Sequence, residues 1–289
     1  MSDNLRVRVS EVAQVDKNPA CSYASIILGL KGKVGVAGLI GTADHLLKVW
    51  FNQESAQLSY KLRENLSPLE IYDILKDNYI KGVEWAVTET KKSALNGDGY
   101  EISEKEQILI ENSLLADALS EASVMSINIG NYRRFWLGYD NPNTLHLEES
   151  LTVEDVEIEG IKFTITSHPD LFMYVPQGDS FMVIDYKTGR PASVSEWITP
   201  EHYNQLCGYS FQIKRKYNQD CKLGAINYTQ DVGMWGLRMC LLNENYFIDC
   251  LHTIAGWLHG DIPEKSECPY NGEYCREESK EKCRRFFGE

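Results

Sequence analysis

An aspartate at position 170, in the run Ser-His-Pro-Asp-Leu-Phe, stands fifteen residues before Asp185-Tyr186-Lys187. Side chains alternate along a strand, so Asp185 and Lys187 share one face. A preceding strand that ends near Asp170 carries a second carboxylate alongside as a hairpin partner. Two carboxylates and an ammonium at one sheet edge suit a hard divalent cation, since Mg²⁺ takes one or two carboxylates together with phosphate oxygens and waters. A cation there neutralises charge on a phosphodiester under attack and acidifies water, while the lysine orients the water or meets the growing charge. The same D-x-K spacing also fits a buried Asp–Lys pair that keeps a strand end soluble.

The eight cysteines fall into two groups. Cys207, Cys221, Cys240 and Cys250 sit among apolar neighbours and read as small core residues. Cys268, Cys275 and Cys283 lie in SECPYNGEYCREESKEKCRRFF, and Cys21 lies 24 residues before His45. Thiolates brought together bind tetrahedral Zn²⁺ or an iron–sulfur cluster. The spacing C-x₆-C-x₇-C is not that of a zinc finger, and three ordinary surface cysteines in a charged tail are the other reading.

The elements that must position these groups follow from hydrophobic period. From Thr42 the chain turns helical, with Leu46, Leu47 and Trp50 on one face. Ser67-Pro68 is a cap followed by a first-turn proline, and SEKEQILIENSLLADALSEA is a further amphipathic helix opened by Ser103 with Gln107 nearby. NGDGY at 96–100 reads as a linker. Near residue 144 the period changes to that of a strand. TLHLEESLTVEDVEIEG and IKFTITSHPDLFMYV read as two strands joined at Glu159-Gly160, and SFMVIDYKTG as a third. TPEHYNQLCGYSFQIKRKY is a helix, CKLGAINYTQD and MWGLRMCLL are strands, and ENYFIDCLHTIAGWLHGD is the last helix. From the first long helices the order is α, β, β, β, α, β, β, α.

With 289 residues, 43% apolar and 25% charged, the chain has ordinary globular composition, which excludes collagen-like, coiled-coil and wholly disordered classes. No apolar run reaches membrane-span length. The N-terminal residues lack the basic start and apolar stretch of a signal peptide, so a cytoplasmic location is expected. The net charge of −13 argues against diffuse nucleic-acid binding by the whole surface. Acidic residues crowd 148–159 and 264–281, while Lys214, Arg215 and Lys216, and Lys280, Lys282, Arg284 and Arg285, form local basic clusters. Arg133, Arg134, Phe135, Trp136 and Tyr139 interleave guanidinium and ring, which suits a single strand, though Phe135 and Trp136 also read as core. Trp235 and Trp257 read as core. No P-loop occurs, so any unwinding comes from a partner.

IDYKTG at 184–189, with Gln205 and Tyr209 at i, i+4 on the following helix, Pro169-Asp170 before it and Gly41-x-x-x-His45 upstream, resembles the PD-(D/E)XK nuclease superfamily and its RecB-like branch. The resemblance implies an α/β, restriction-endonuclease-like core: a mixed central sheet flanked by helices, with an N-terminal helical elaboration. One nuclease domain would cover 1–289, divided into a helical region at 22–143, a catalytic core of αβββαβ type at 144–260 and a Cys-rich tail at 261–289. Carried over, the family's roles make His45, Asp170, Asp185 and the carbonyl of Tyr186 ligands of Mg²⁺ or Mn²⁺, and Lys187 the catalytic lysine. Gln205 and Tyr209 would shape the site or contact the scissile strand. A supporting glutamate at the first core strand is Glu148 or Glu149, and His168 is a group beside the site or has no role. Iron–sulfur members of the branch, including CRISPR-associated and AddB-type nucleases, hold a [4Fe–4S] cluster by one cysteine before the His motif and three after the last core helix. Cys21, Cys268, Cys275 and Cys283 have that distribution, although the gap between the first two C-terminal cysteines is longer than usual in the family. Zn²⁺ or another cluster type stays open.

The expected function is a divalent-metal-dependent DNA nuclease, an exonuclease on single-stranded or end-containing DNA. Recombination, repair, phage DNA processing and CRISPR adaptation are the settings, with a helicase or recombination protein as partner and oligomeric state open. A catalytically silent DNA-binding or assembly module of the same fold, and a zinc-stabilised interaction domain, are the alternatives.

Overall fold

A computed structural model describes residues 4–30, 35–61, 66–137, 145–187, 197–228, 237–264 and 279–283. The chain is mixed α/β, with two mixed sheets and flanking helices. It opens with β1 (Asn4–Arg8), α1 (Val9–Val12) and α2 (Pro19–Ile26). Three long helices follow: α3 (Val36–Lys61), α4 (Pro68–Asp98) and α5 (Glu104–Leu137). Then come β2 (Leu145–Leu147), β3 (Leu151–Ile158), β4 (Ile161–Ser167), β5 (Leu171–Val175), β6 (Ser180–Lys187), α6 (Pro200–Tyr217), β7 (Cys221–Tyr228), β8 (Leu237–Leu241) and α7 (Asn245–His259).

The long helices begin and end where local chemistry dictates. Ser67 and Glu70 cap each other's backbone N–H groups at the start of α4, with Pro68 at the first helical position. Ser103 opens α5 in the same way, but its partner is Glu106, three residues on, rather than Gln107. NGDGY is not a linker. It is the last turn of α4, closed by Gly99 in the left-handed region at φ 63°. Leu75, Tyr79 and Val83 of α4 meet Ile110, Leu114 and Ala118 of α5, and Leu47 and Phe51 of α3, in one apolar core.

The strand region departs from the sequence reading. The hairpin at Glu159-Gly160 is present, both turn residues having positive φ as a two-residue primed turn requires. Yet each of its expected strands breaks in two. β3 and β4 belong to a three-stranded sheet of order β1-β4-β3, whereas β2 and β5 belong to a five-stranded sheet of order β2-β5-β6-β7-β8. The breaks fall at the same level. Glu148 takes a left-handed φ of 47°, and Pro169, which has no N–H for a ladder, separates β4 from β5. In the five-stranded sheet β6 and β7 run parallel through the α6 crossover, and the other neighbours are antiparallel.

The N-terminal segment packs with the strands and helices of 144–260. β1 pairs parallel with β4 from Asn4↔Lys162 to Arg8↔Thr166. Val7, Val9, Val12, Val15 and Tyr23 share one apolar cluster with α6 and α7, where Tyr23 meets the Trp257 ring edge-on at 5.6 Å. Gly208 of α6 lies at this junction, and an added Cβ would come within 2.6 Å of Val9 and 2.7 Å of Phe247. Among the described residues no helix is long and apolar enough to cross a membrane.

Candidate functional site

The strand breaks build the site. β2 and β5 pair in register, Leu147↔Leu171, so Glu148 and Asp170 stand just beyond one end of the same ladder. The Glu148 N–H donates to the Asp170 carbonyl at 3.1 Å. α3 touches β6 and brings in His45, whose Nδ1 lies 2.9 Å from Asp170 Oδ1. His45, Glu148 and Asp170 each offer a ligand atom within 4.8 Å of the others, the one such set among the described residues.

Asp170 is 3% exposed and its second oxygen accepts the Tyr186 backbone N–H at 2.5 Å, which ties this set to β6. On β6 itself, Asp185 Oδ2 meets the Lys187 ammonium at 2.6 Å. Asp185 Oδ1 accepts from Gln205 Nε2 at 3.3 Å and from the Tyr209 hydroxyl at 3.4 Å, and Gln205 Nε2 also donates to that hydroxyl at 2.5 Å. One turn of α6 therefore clamps Asp185, as their i, i+4 spacing anticipates.

The electrostatics are those of a crowded acidic pocket. Burial works against charge on His45, but the hydrogen bond and charge of Asp170 and the charge of Asp185 outweigh it and raise the imidazole to about 9. Burial and the Asp170 charge push Glu148 up to about 8. Burial also drives Asp185 up, against the pull of Lys187. Burial opposes charge on Lys187, yet Asp185 and Asp170 keep it a cation, above its usual range. Two carboxylates and an imidazole are a fitting donor set for Mg²⁺ or Mn²⁺, and a bound cation takes the place of the protons on such ligands.

His45, Asp170, Asp185, Tyr186, Lys187, Gln205 and Tyr209 are all brought together, although Asp185 faces Lys187 and α6 rather than standing in the three-residue set. Glu148, not Glu149, stands beside His45 and Asp170. Glu149 turns away to His146 at 2.5 Å, to Lys216 at 2.6 Å and to the Tyr217 hydroxyl. Burial raises Glu149, but those hydrogen bonds prevail and bring it down to about 2. His168 is exposed and meets Ser150 Oγ at 3.1 Å, apart from the set.

The basic run on α6 is already neutralised: Lys214 faces Asp220 and Glu244, Arg215 lies over Phe211, and Lys216 holds Glu149. Cys207, Cys221 and Cys250 are buried and Cys240 half-buried, as expected of small core residues. Cys21 of α2 and Cys283 are half-buried. Cys268, Cys275, Tyr139, Trp235, Arg284, Arg285 and the side chains of Arg133, Arg134, Phe135 and Trp136 lie outside the described residues. Trp257 is core, at 5% exposure.

Sequence reasoning passed over a second group, behind His45. Asp44 is fully buried and neither of its oxygens has a hydrogen bond. Lys48, one turn along α3, lies 3.7 Å from Glu121 of α5, and Asp117 is one turn before Glu121. Burial raises Asp44, and burial together with the Asp44 charge lifts Asp117 to about 6. The only sequence signal was Asp44's place beside His45 in Gly-Thr-Ala-Asp-His. His202 of α6 was also missed. Its Nδ1 lies 3.0 Å from the Tyr228 hydroxyl, and burial, helped by the Lys187 charge, holds it down at about 4.

No family model matches the chain, and no curated protein matches it.

Proposed function

We propose that this chain is a divalent-cation-dependent deoxyribonuclease of the PD-(D/E)XK type and RecB-like branch, acting as an exonuclease on single-stranded or end-containing DNA. One observation carries the reading. His45, Glu148 and Asp170, drawn from a helix and two strand ends far apart in sequence, converge beside a buried Asp185–Lys187 pair through the Tyr186 N–H. A hydrophobic core has no need of so many charges in one place: even paired, as here, they are costly to bury, and such clusters gather at functional sites.

His45, Glu148 and Asp170 hold Mg²⁺ or Mn²⁺ in this reading, with Asp185 and the Tyr186 carbonyl on the adjoining strand. The cation, when bound, supplies charge neutralisation at the phosphodiester and acidification of water. Lys187 stays protonated and half-buried beside Asp185, so its ammonium orients the attacking water or meets charge growing on the phosphate. Gln205 and Tyr209 fix Asp185, and Asp185 in turn fixes Lys187. Water adds to phosphorus and gives its proton to solvent, the P–O3′ bond breaks, and the leaving 3′-oxygen takes a proton from solvent, which gives a 5′-phosphate and a 3′-hydroxyl.

Cys21, Cys268, Cys275 and Cys283 hold a [4Fe–4S] cluster in the same reading. Four thiolates are its usual ligands, and α2, which carries Cys21, packs through Tyr23 on α7, the helix before the C-terminal cysteines. Protein purified without oxygen should contain iron and inorganic sulfide in equal amounts, and Cys21→Ser protein should not.

The deciding experiment is an assay on end-labelled single- and double-stranded DNA with Mg²⁺, Mn²⁺ or EDTA, beside Lys187→Ala protein. Cutting that needs the cation and vanishes in the variant is expected. No cutting of any DNA with either cation overturns the nuclease reading.

A further inference from the structure

The end of the five-stranded sheet that carries Lys187 also carries an exposed ring. Trp197, at the entry to α6, is 61% exposed, which is unusual for the largest apolar side chain. It is nevertheless held in place. Its Nε1–H donates to the Met239 carbonyl of β8 at 2.9 Å, and its own carbonyl accepts from Arg238 at 3.1 Å. The Arg238 guanidinium lies 5.5 Å from the Trp197 ring centre and 5.3 Å from that of buried Tyr228.

Register links this pair to the site. Asp185 pairs with Ile226, and Ile226 with Arg238, so the three form one row across the sheet and share a face. Two strand spacings separate Asp185 from Arg238, about 10 Å. Between them, Tyr228 stands opposite Lys187 and bonds His202. Side chains of one face therefore link Asp185 and Lys187, through buried Tyr228, to Arg238 and Trp197 at the sheet edge.

The outer edge of β8 is closed to another strand. The Met239 carbonyl takes the Trp197 indole N–H, and the Leu241 carbonyl takes the Tyr203 hydroxyl at 3.1 Å. A protein partner that adds a strand has lost two of the acceptors it needs. What is left open is a rigidly held aromatic ring, which suits a flat base irrespective of sequence.

We propose that Trp197 and Arg238 form a stacking platform for a base of a single-stranded polynucleotide whose scissile phosphate lies at Lys187. This rests on the nuclease reading and extends it by a substrate-contacting site. Trp197 carries the stack, and Arg238 fixes the ring.

The test is the affinity of Lys187→Ala protein for a fluorescent oligothymidylate in EDTA, by anisotropy. Adding Trp197→Ala should weaken binding about 5- to 150-fold, the range for loss of one stacked base. Trp197→Phe should recover most of it. An oligomer of abasic sugars should bind the Lys187→Ala protein weakly, and Trp197→Ala should weaken it no further. Equal affinity of the Trp197→Ala and Trp197→Phe proteins for oligothymidylate overturns the platform and leaves the nuclease reading intact. Trp197→Ala turning a dimer into a monomer in sedimentation, with DNA affinity unchanged, also overturns it and assigns the ring to a contact between copies. Protein that neither cuts DNA when unsubstituted nor binds it as Lys187→Ala overturns both.

Discussion

Glu148 and Glu149 are neighbours of one type, and the backbone turn at Glu148 sends one carboxylate to Asp170 and the other to Lys216. Their substitutions should therefore separate. Mn²⁺ should stabilise the unsubstituted protein by about 2.7 kcal/mol at a hundredfold excess over its Kd. In thermal unfolding, Glu148→Gln and His45→Ala should abolish that gain. Glu149→Gln should keep it from a lower starting Tm. A full Mn²⁺ gain in Glu148→Gln protein would remove Glu148 from the set. His202 makes a second case. Its folded value of about 4 lies below the ordinary 6.5, so folding favours the neutral ring. That stabilisation is complete above pH 6.5 and is lost as pH falls toward 4, because the unfolded chain takes up a proton that the folded chain refuses. The Tm of His202→Asn protein should accordingly fall less steeply over that interval than that of the unsubstituted protein. Equal slopes would sink the assignment.

α6 is the element that joins the two sheets. Its Gln205 and Tyr209 hold Asp185 of the five-stranded sheet, and Gln212 reaches the other sheet. Gln212 is fully buried, donates to the Ile165 carbonyl at 2.8 Å and accepts from the Ser167 hydroxyl. Gln212→Leu keeps the bulk but leaves both groups without a partner in the interior, at a cost of about 1–3 kcal/mol. Urea unfolding reads this as a lower midpoint with an unchanged slope. No loss of stability would mean that α6 is held by apolar packing alone. Asp44 and Lys48 on α3 show why element packing matters to the site: charges that an isolated helix would leave in water are enclosed once α5 covers them.

The molecule closes on its own N-terminus. β1 occupies the edge of β4, and Val7 fills the cluster shared with α6 and α7. Removing residues 1–8 uncovers that edge from Lys162 to Thr166 and deletes a buried side chain, so the truncated chain should associate in gel filtration and unfold at a lower temperature. A monomer with the original midpoint would contradict this. Gly208, closed in by Val9 and Phe247, is where the N-terminal segment, α6 and α7 meet without room for a methyl group.

What the amino-acid order determined by itself is written in short spacings. The Ser67-Pro68 cap, the bounds of α6 and α7, the strand that carries Asp185 and Lys187, and the Gln205–Tyr209 pair on one helical face depend on contacts within about four residues. β1, the division of one apparent hairpin between two sheets, the choice of Glu148 over Glu149, and the burial of Asp44 were decided only by tertiary structure. Alternation between apolar and polar residues is the same in either sheet, so the pattern from 144 to 175 cannot say where a strand leaves one for the other. Pro169 was the one local sign of that break, and the partner that each freed carboxylate meets is set by which faces pack together across long stretches of chain.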